Sequence, residues 1–182
     1  MRKLLFEILV KPPLTEKAPA ADDAALAELA RALEQTARKR LGRSLAIRQV
    51  DAGSCNGCEL EIHALNNAYY DLERFGIRFV ASPRHADGIV VTGAVSENMR
   101  TALLDTYAAV PAPKLVIAVG ACAISGGPFF YNTYSVVKGA DHIIPVDVYV
   151  AGCPPRPEAL LHALITLQGK IKSGLTREQM PP

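Results

Sequence analysis

Three short apolar runs along this chain each lead into a segment that contains cysteine. The runs and their cysteines are Ala46–Val50 with Cys55 and Cys58, Lys114–Val119 with Cys122, and Val146–Val150 with Cys153. Glycine or proline bounds every cysteine segment, which predicts loops at strand ends. Loops that follow parallel strands lie at one edge of a sheet. We therefore expect the four thiols to meet at one site, and no cysteine is left over.

The rest of the central region alternates between strand and helix patterns. The other predicted strands are Ile77–Ala81 and Gly88–Thr92, and the predicted helices are Leu60–Phe75, Asn98–Ala109 and Pro157 to about Ile171. Short apolar strands that alternate with helices indicate a mostly parallel sheet covered on both faces. Residues 44–172 are accordingly predicted to form one α/β domain with about four to five strands.

The two ends of the chain have a different character. Residues 1–43 are predicted to be an N-terminal arm with a docking helix, which starts near Asp22 and has Leu26, Leu29 and Leu33 at helical spacing. Its apolar start, Leu4–Val10, suits either an intersubunit contact or a cover for its own domain. Residues 173–182 are predicted to be a frayed tail.

Composition excludes several classes of protein. Among 182 residues the net charge is only +2 and tryptophan is absent, which argues against nucleic-acid binding. The apolar start is interrupted by Glu7 and is a poor signal peptide, and no apolar run is long enough to span a membrane. We expect a cytoplasmic protein, whose thiols stay reduced and bind metal rather than form disulfides.

Spacing alone leaves open which metal group the cysteines bind. A zinc ribbon uses two C-x-x-C pairs, whereas Cys122 and Cys153 are single and distant in sequence. That pattern favours one 4Fe–4S cluster over a structural zinc ion. A thioredoxin-type redox pair at Cys55 and Cys58 would leave the other two cysteines unexplained.

Glycines and one acid accompany the cysteines. The glycines, which suit either close approach of the backbone to a cluster or simple turns, are Gly53, Gly57, Gly120, Gly126, Gly127 and Gly152. Glu59 directly follows Cys58, where a carboxylate beside an anionic cluster is unfavourable unless it is protonated or paired. Glu59 is therefore a candidate for handling protons, or else a plain acid at a helix start.

Eight blocks between residues 46 and 171 together resemble a known family. They are Cys55–Glu59, Glu73–Ile77, Ser82–Asp87, Thr92–Val95, Gly120–Cys122, Ser125–Gly127, Ile144–Tyr149 and Gly152–Glu158. In these blocks the chain resembles the small subunit of energy-converting, complex I-related nickel–iron hydrogenases, the group that includes formate hydrogenlyase. The resemblance does not extend to the first 45 residues.

The resemblance implies a flavodoxin-like fold and an electron-transfer role. It implies one 4Fe–4S cluster on Cys55, Cys58, Cys122 and Cys153, next to the nickel and iron of a large catalytic subunit, with Glu59 as a suggested proton relay. The implied partners are that large subunit, a ferredoxin-like iron–sulfur subunit and, through the complex, membrane-arm subunits. The implied location is the cytoplasmic side of the cell membrane, without a transmembrane segment.

Two other interpretations of the pattern stay open. One is a subunit of respiratory complex I, which reduces quinone. The matching subunit of that complex usually has two adjacent cysteines where this chain has Cys55-x-x-Cys58, so the cysteine spacing here resembles that of the hydrogenases. A zinc-stabilised scaffold protein without a redox role is the alternative of another class.

Overall fold

A computed structural model describes residues 44–131 and 134–172 and, outside those ranges, Glu28 and Arg31, which are helical. The predicted arm over 1–43 and tail over 173–182 otherwise lie outside the described residues, as do the proposed contacts of Leu4–Val10 and of the leucine stripe. Within the described residues, no helix combines the length and the apolar character that crossing a bilayer requires.

Within the described residues, five strands form a single parallel sheet, which confirms the predicted α/β fold. The strands are β1 (Leu45–Asp51), β2 (Ile77–Phe79), β3 (Gly88–Thr92), β4 (Leu115–Val119) and β5 (Val148–Val150). Their order is β2-β1-β3-β4-β5, and every neighbouring pair is parallel. This is the flavodoxin-like order, in which the connections change direction between β1 and β3.

Helices cover both faces of the sheet because apolar side chains alternate along the strands. The helices are α1 (Gly57–Ala64), α2 (Glu97–Ala109), α3 (Gly120–Ser125) and α4 (Pro157–Lys172). Val90 and Ile117 belong to a core with Ile62 of α1 and residues of α4. Ile89 and Val116 face the other way, into a core with residues of α2 and α3. The inner strands β3 and β4 are thus buried on both faces, whereas the edge strands β2 and β5 expose Arg78 and Tyr149.

The predicted helix Leu60–Phe75 is wrong in its length. Helix α1 ends at Ala64, and a separate 3-10 turn spans Leu72–Phe75. Between them the Asn67 side chain accepts hydrogen bonds from the backbone of Tyr69 and Tyr70, and this local bonding competes with the helix. Leu60, the first residue of the predicted helix, is 62% exposed.

The cysteine segments also differ from simple loops. Cys58 lies in the first turn of α1, and Cys122 lies inside the six-residue helix α3. Cys55 and Cys153 do lie in loops. All four nevertheless follow strand ends, so the predicted edge of the sheet is confirmed.

Candidate functional site

The four cysteines line one cavity at the carboxyl edge of the sheet. Its volume is about 70 Å³, and its lining residues are Ser54, Cys55, Gly57, Cys58, Gly93, Ala121, Cys122, Gly152, Cys153 and Pro154. The cavity lies where the loops after β1 and β3 diverge, the position at which such sheets bind ligands. All four thiols are free, with Cys55 and Cys153 exposed and the other two half-buried.

Hydrogen bonds within the first cysteine loop fix its shape. Asp51 Oδ1 accepts from the backbone N–H groups of Gly53 and Ser54, each at 2.9 Å. Ser54 Oγ then accepts from the backbone N–H of Asn56, which adopts a left-handed conformation with φ of 69°. This turn delivers the chain into α1, so Cys55 and Cys58 lie on either side of a fixed corner.

The loops after β1, β4 and β5 meet at Gly120. A Cβ atom built on Gly120 would lie 2.5 Å from Cys58 Sγ and 3.6 Å from the carbonyl oxygen of Gly152. The neighbouring Ala121 N–H donates to that same carbonyl at 2.8 Å. Only glycine fits at this contact, because its φ of +86° and the nearby sulfur both exclude a side chain.

The remaining glycines divide into two roles. Gly126 ends α3 in a left-handed conformation. It therefore serves a turn, which is one of the two roles that the sequence left open for these glycines. Gly127 lies against Cys122, because a Cβ there would lie 2.8 Å from Cys122 Sγ. Sequence reasoning missed Gly93, which lines the cavity from a segment without cysteine; its place directly after the strand ending at Thr92 was the available signal.

The thiols influence one another electrostatically. Burial raises the pKa of Cys58 to about 11, with further increases from Glu59 and then from the other three cysteines. Burial also raises the pKa of Cys122, followed by the effects of Cys153, Cys55 and Glu59. These raised pKa values favour the neutral thiols of Cys58 and Cys122, and a cation bound beside them would favour the thiolates instead.

Glu59 combines burial with an absence of partners. The side chain is only 4% exposed, and within the described residues neither carboxylate oxygen has a hydrogen-bond partner. It does lie in the first turn of α1, as a helix-start acid should. A buried acid without partners is costly, however, so the helix start alone does not account for it.

The cavity contains the four-cysteine donor set that an iron–sulfur cluster uses. Within residues 44–131 and 134–172, no group of three or more His, Cys, Asp or Glu side chains is arranged to hold a single metal ion. The four thiols surround a space instead, and glycines keep that space free of side chains. The donor set and the cavity therefore fit a cubane, in which each thiolate binds a different iron.

An exposed aromatic cluster lies at the same edge of the sheet. It comprises Phe129, Phe130, Tyr131 and Tyr134, and Tyr131 and Tyr134 are 84% and 100% exposed. The segment that carries the cluster begins at Gly127, which lies beside Cys122. After the cluster, the Val137 N–H donates to the carbonyl oxygen of Val95, close to the end of β3. The rings of Phe130 and Tyr131 pack edge to face with their centroids 5.8 Å apart, and aromatic residues are enriched where proteins meet one another.

Comparisons with known proteins agree on a family of oxidoreductase subunits. A chain from the structure of the membrane-bound sulfane sulfur reductase, an archaeal respiratory membrane complex, matches with a TM-score of 0.64 and 42% identity, over 79% of this chain and 77% of that one. A protein of Pyrococcus furiosus named "Probable membrane-bound hydrogenase subunit mbhJ" is 46% identical over 79% of this chain and 85% of its own length.

Two further relatives come from a formate hydrogenlyase and from an NADH-quinone oxidoreductase. Formate hydrogenlyase subunit 7 of Escherichia coli is 47% identical over 74% of this chain, which spans about half (52%) of that relative. An NADH-quinone oxidoreductase subunit of Citrifermentans bemidjiense is 54% identical over 63% of this chain and 66% of its own length. The model of the family "NADH ubiquinone oxidoreductase, 20 Kd subunit" matches residues 55–167, from the first cysteine to beyond the last. This chain therefore belongs to the 20 kDa subunit family of NADH:ubiquinone oxidoreductase, whose members include subunits of membrane-bound hydrogenases.

Proposed function

We propose that this chain is the electron-transfer small subunit of a membrane-associated nickel–iron hydrogenase. In this proposal Cys55, Cys58, Cys122 and Cys153 hold one 4Fe–4S cluster next to the catalytic metal site of a large subunit. When bound, the cluster supplies one-electron transfer between that site and a ferredoxin-like subunit, in support of reversible reduction of protons to hydrogen. The observation that carries the proposal is the cavity lined by all four thiols.

The chain's own residues contribute position and shielding. Gly120 and Gly127 leave room for Cys58 Sγ and Cys122 Sγ beside the cavity. Cys58 and Cys122 are half-buried and Cys55 and Cys153 are exposed, so one side of the site lies against the domain and the other side is open to the proposed partner. Electron transfer requires such a partner to lie close to the open side.

The aromatic cluster supports a protein partner at this edge. Its four rings are exposed, the Lys138 ammonium lies 5.3 Å from the Phe130 ring centroid, and aromatic residues are enriched at protein interfaces. The large subunit is the proposed occupant, and through the whole complex the chain would reach the cytoplasmic side of the membrane. The name of the Pyrococcus relative, a membrane-bound hydrogenase subunit, supports this assignment.

Glu59 is the proposed proton-handling residue of this subunit. Its buried carboxyl group has no partner within the described residues and adjoins Cys58, at the edge where the large subunit is proposed to bind. A carboxyl group there is available to exchange protons with groups of that subunit. Hydrogen chemistry moves protons at every turnover, and a positioned acid accelerates such transfers.

Reduction of quinone is the second candidate function. Identity of 54% to the NADH-quinone oxidoreductase subunit of Citrifermentans bemidjiense favours it, although over a shorter part of the chain than the hydrogenase relatives match. The spacing of Cys55 and Cys58, with two residues between them, favours the hydrogenase.

Purification of the native complex through a tag on this chain separates the two functions. The hydrogenase proposal predicts co-purification of a nickel-containing subunit and hydrogen evolution from reduced methyl viologen. A complex that lacks nickel and oxidises NADH with a quinone analogue would establish the alternative. A free, colourless, zinc-containing chain would contradict both.

A further inference from the structure

The segment between α1 and the 3-10 turn presents one tyrosine side chain to α4. Asn67 Oδ1 accepts from the backbone of Tyr69 and Tyr70 at 2.9 Å each, and the Asp71 N–H donates to the Asn67 carbonyl oxygen at 2.8 Å. Leu72 N–H then donates to the carbonyl oxygen of Leu65 at 3.0 Å. These bonds close the segment into a compact loop with a defined direction for the Tyr70 ring.

Tyr70 joins this loop to the start of α4. Its hydroxyl donates to Glu158 Oε1 at 2.7 Å, across 88 residues of sequence. The ring packs on the core beneath α1 and α4, and the edge of the Tyr69 ring lies against it, with centroids 4.8 Å apart. Burial, followed by the bond to Glu158, raises the pKa of Tyr70 to about 12, so the hydroxyl keeps the proton that it donates.

Glu158 is connected to the last cysteine by a stiff segment. Four residues separate them, and three of these are prolines, Pro154, Pro155 and Pro157. Pro155 is buried against Gly152, where a Cβ atom would collide with it. A Cβ on Gly57, the first residue of α1, would lie 3.8 Å from Pro154, so this segment also borders the start of α1.

We propose that the Tyr70–Glu158 hydrogen bond is a latch that fixes the start of α4, and with it the Cys153 segment, against the loop that follows α1. Tyr70 is thus a positioning residue for the fourth thiolate, although it does not line the cavity itself. The latch joins two regions that carry cysteines, because the loop of Tyr70 continues from α1, whose first turn holds Cys58, and Glu158 lies in the first turn of α4. The role assumes the proposed cluster-binding function.

The test measures how fast a ferrous chelator removes iron from the reconstituted full chain under anaerobic conditions. Tyr70→Phe removes only the hydroxyl and is expected to lose iron about three- to tenfold faster, because a hydrogen bond to a charged acceptor is lost. Glu158→Gln keeps an acceptor oxygen and is expected to stay within about twofold of wild type. Tyr107→Phe, on α2 at the other face of the sheet, is the matched control and is expected to change nothing.

Two further readouts separate positioning from general stability. The EPR signal of the reduced cluster is expected to change shape in Tyr70→Phe, whereas the far-UV circular dichroism of the apo chain stays unchanged. In Tyr70→Phe/Glu158→Ala the rate should match that of Tyr70→Phe alone, because both changes break one bond. Wild-type iron-loss rates and an unaltered EPR signal in Tyr70→Phe would overturn the latch.

Failure of the cluster proposal has a different signature. A wild-type chain that takes up zinc and no iron contradicts the proposed function, and the latch is then tested by the rate of zinc release from the same variants. Equal release rates for wild type and Tyr70→Phe would overturn it in that case as well.

Discussion

The two edges of the sheet are built from different chemistry. At the amino edge, carboxylates fix the strands: Asp87 Oδ2 accepts from Ala46 N–H at 2.9 Å, and Asp147 Oδ2 accepts from Val116 N–H at 2.8 Å. At the carboxyl edge, by contrast, the four thiols face a cavity and Glu59 is buried without a partner among the described residues. Asp51 and Ser54 at the carboxyl edge are hydrogen-bonded as well, so the difference between the edges lies in the four free thiols and in the buried Glu59 carboxylate, which has no partner among the described residues.

The two edges also differ in the number of glycines that have a positive φ. Most glycines with a positive φ lie at or next to the carboxyl edge; they are Gly53, Gly93, Gly120, Gly126, Gly127 and Gly152. Gly76, before β2 at the amino edge, is the exception, and a Cβ there would meet nothing closer than 3.9 Å. Gly76 serves a turn, whereas Gly120 and Gly127 at the carboxyl edge also keep space for the sulfur atoms of Cys58 and Cys122.

Replacing a glycine at each edge is expected to have the largest effect. Gly120→Ala and Gly76→Ala both force a side chain into a left-handed conformation, but only the first collides with Cys58 Sγ. We expect Gly120→Ala to fold and to bind less than half of the wild-type iron, whereas Gly76→Ala keeps full iron. Iron analysis after anaerobic reconstitution, with circular dichroism as the folding control, measures the difference. Equal iron in the two variants would show that the edges do not differ in this way.

Glu59→Gln tests the unsatisfied acid at the carboxyl edge. Gln keeps the shape of the side chain but cannot carry the proton, so hydrogen turnover of the whole complex is expected to fall by about tenfold or more. The EPR signal of the cluster and the subunit composition should persist. Glu61→Gln, two residues further along α1, is the control and should retain activity. Full turnover in Glu59→Gln would reduce Glu59 to an acid at a helix start.

Asp147→Ala tests the amino edge and has the smallest expected effect on function. Loss of the acceptor leaves the Val116 N–H unpaired, which should lower the free energy of unfolding by about 1–3 kcal/mol. Iron content should not change, because the residue lies at the opposite edge from the thiols. Asp105→Ala, an exposed acid on α2, should cost less than about 0.5 kcal/mol. Loss of iron in Asp147→Ala at unchanged stability would contradict the division between edges.

Sequence patterns predicted the sheet and the meeting of the cysteines because both depend on strong local signals. Apolar runs marked the five strands. Because the strands are parallel, the segments that follow them lie at one edge of the sheet, and the cysteines fall in those segments. The end of α1 was missed because hydrogen bonds of the Asn67 side chain overrode a continuous helical pattern. The contact between Gly120 and Cys58 could not be predicted, since it depends on how three loops pack together.

The blocks of the family resemblance contain residues from both edges of the sheet, and the sequence alone does not show to which edge a residue belongs. Asp87 and Asp147 fall inside blocks of the family resemblance, yet their carboxylates bind strand backbone far from the cavity. Tyr70 falls outside those blocks and still reaches Glu158. Membership of a family block therefore does not by itself identify a site residue.

The central claim is that the four thiols bind one 4Fe–4S cluster, and metal analysis of the anaerobically reconstituted full chain tests it most directly. The prediction is about four irons and four acid-labile sulfides per chain, with an EPR signal on reduction. Cys153→Ala should lose that stoichiometry. One zinc per chain without iron, or a full cluster in Cys153→Ala, would contradict the claim.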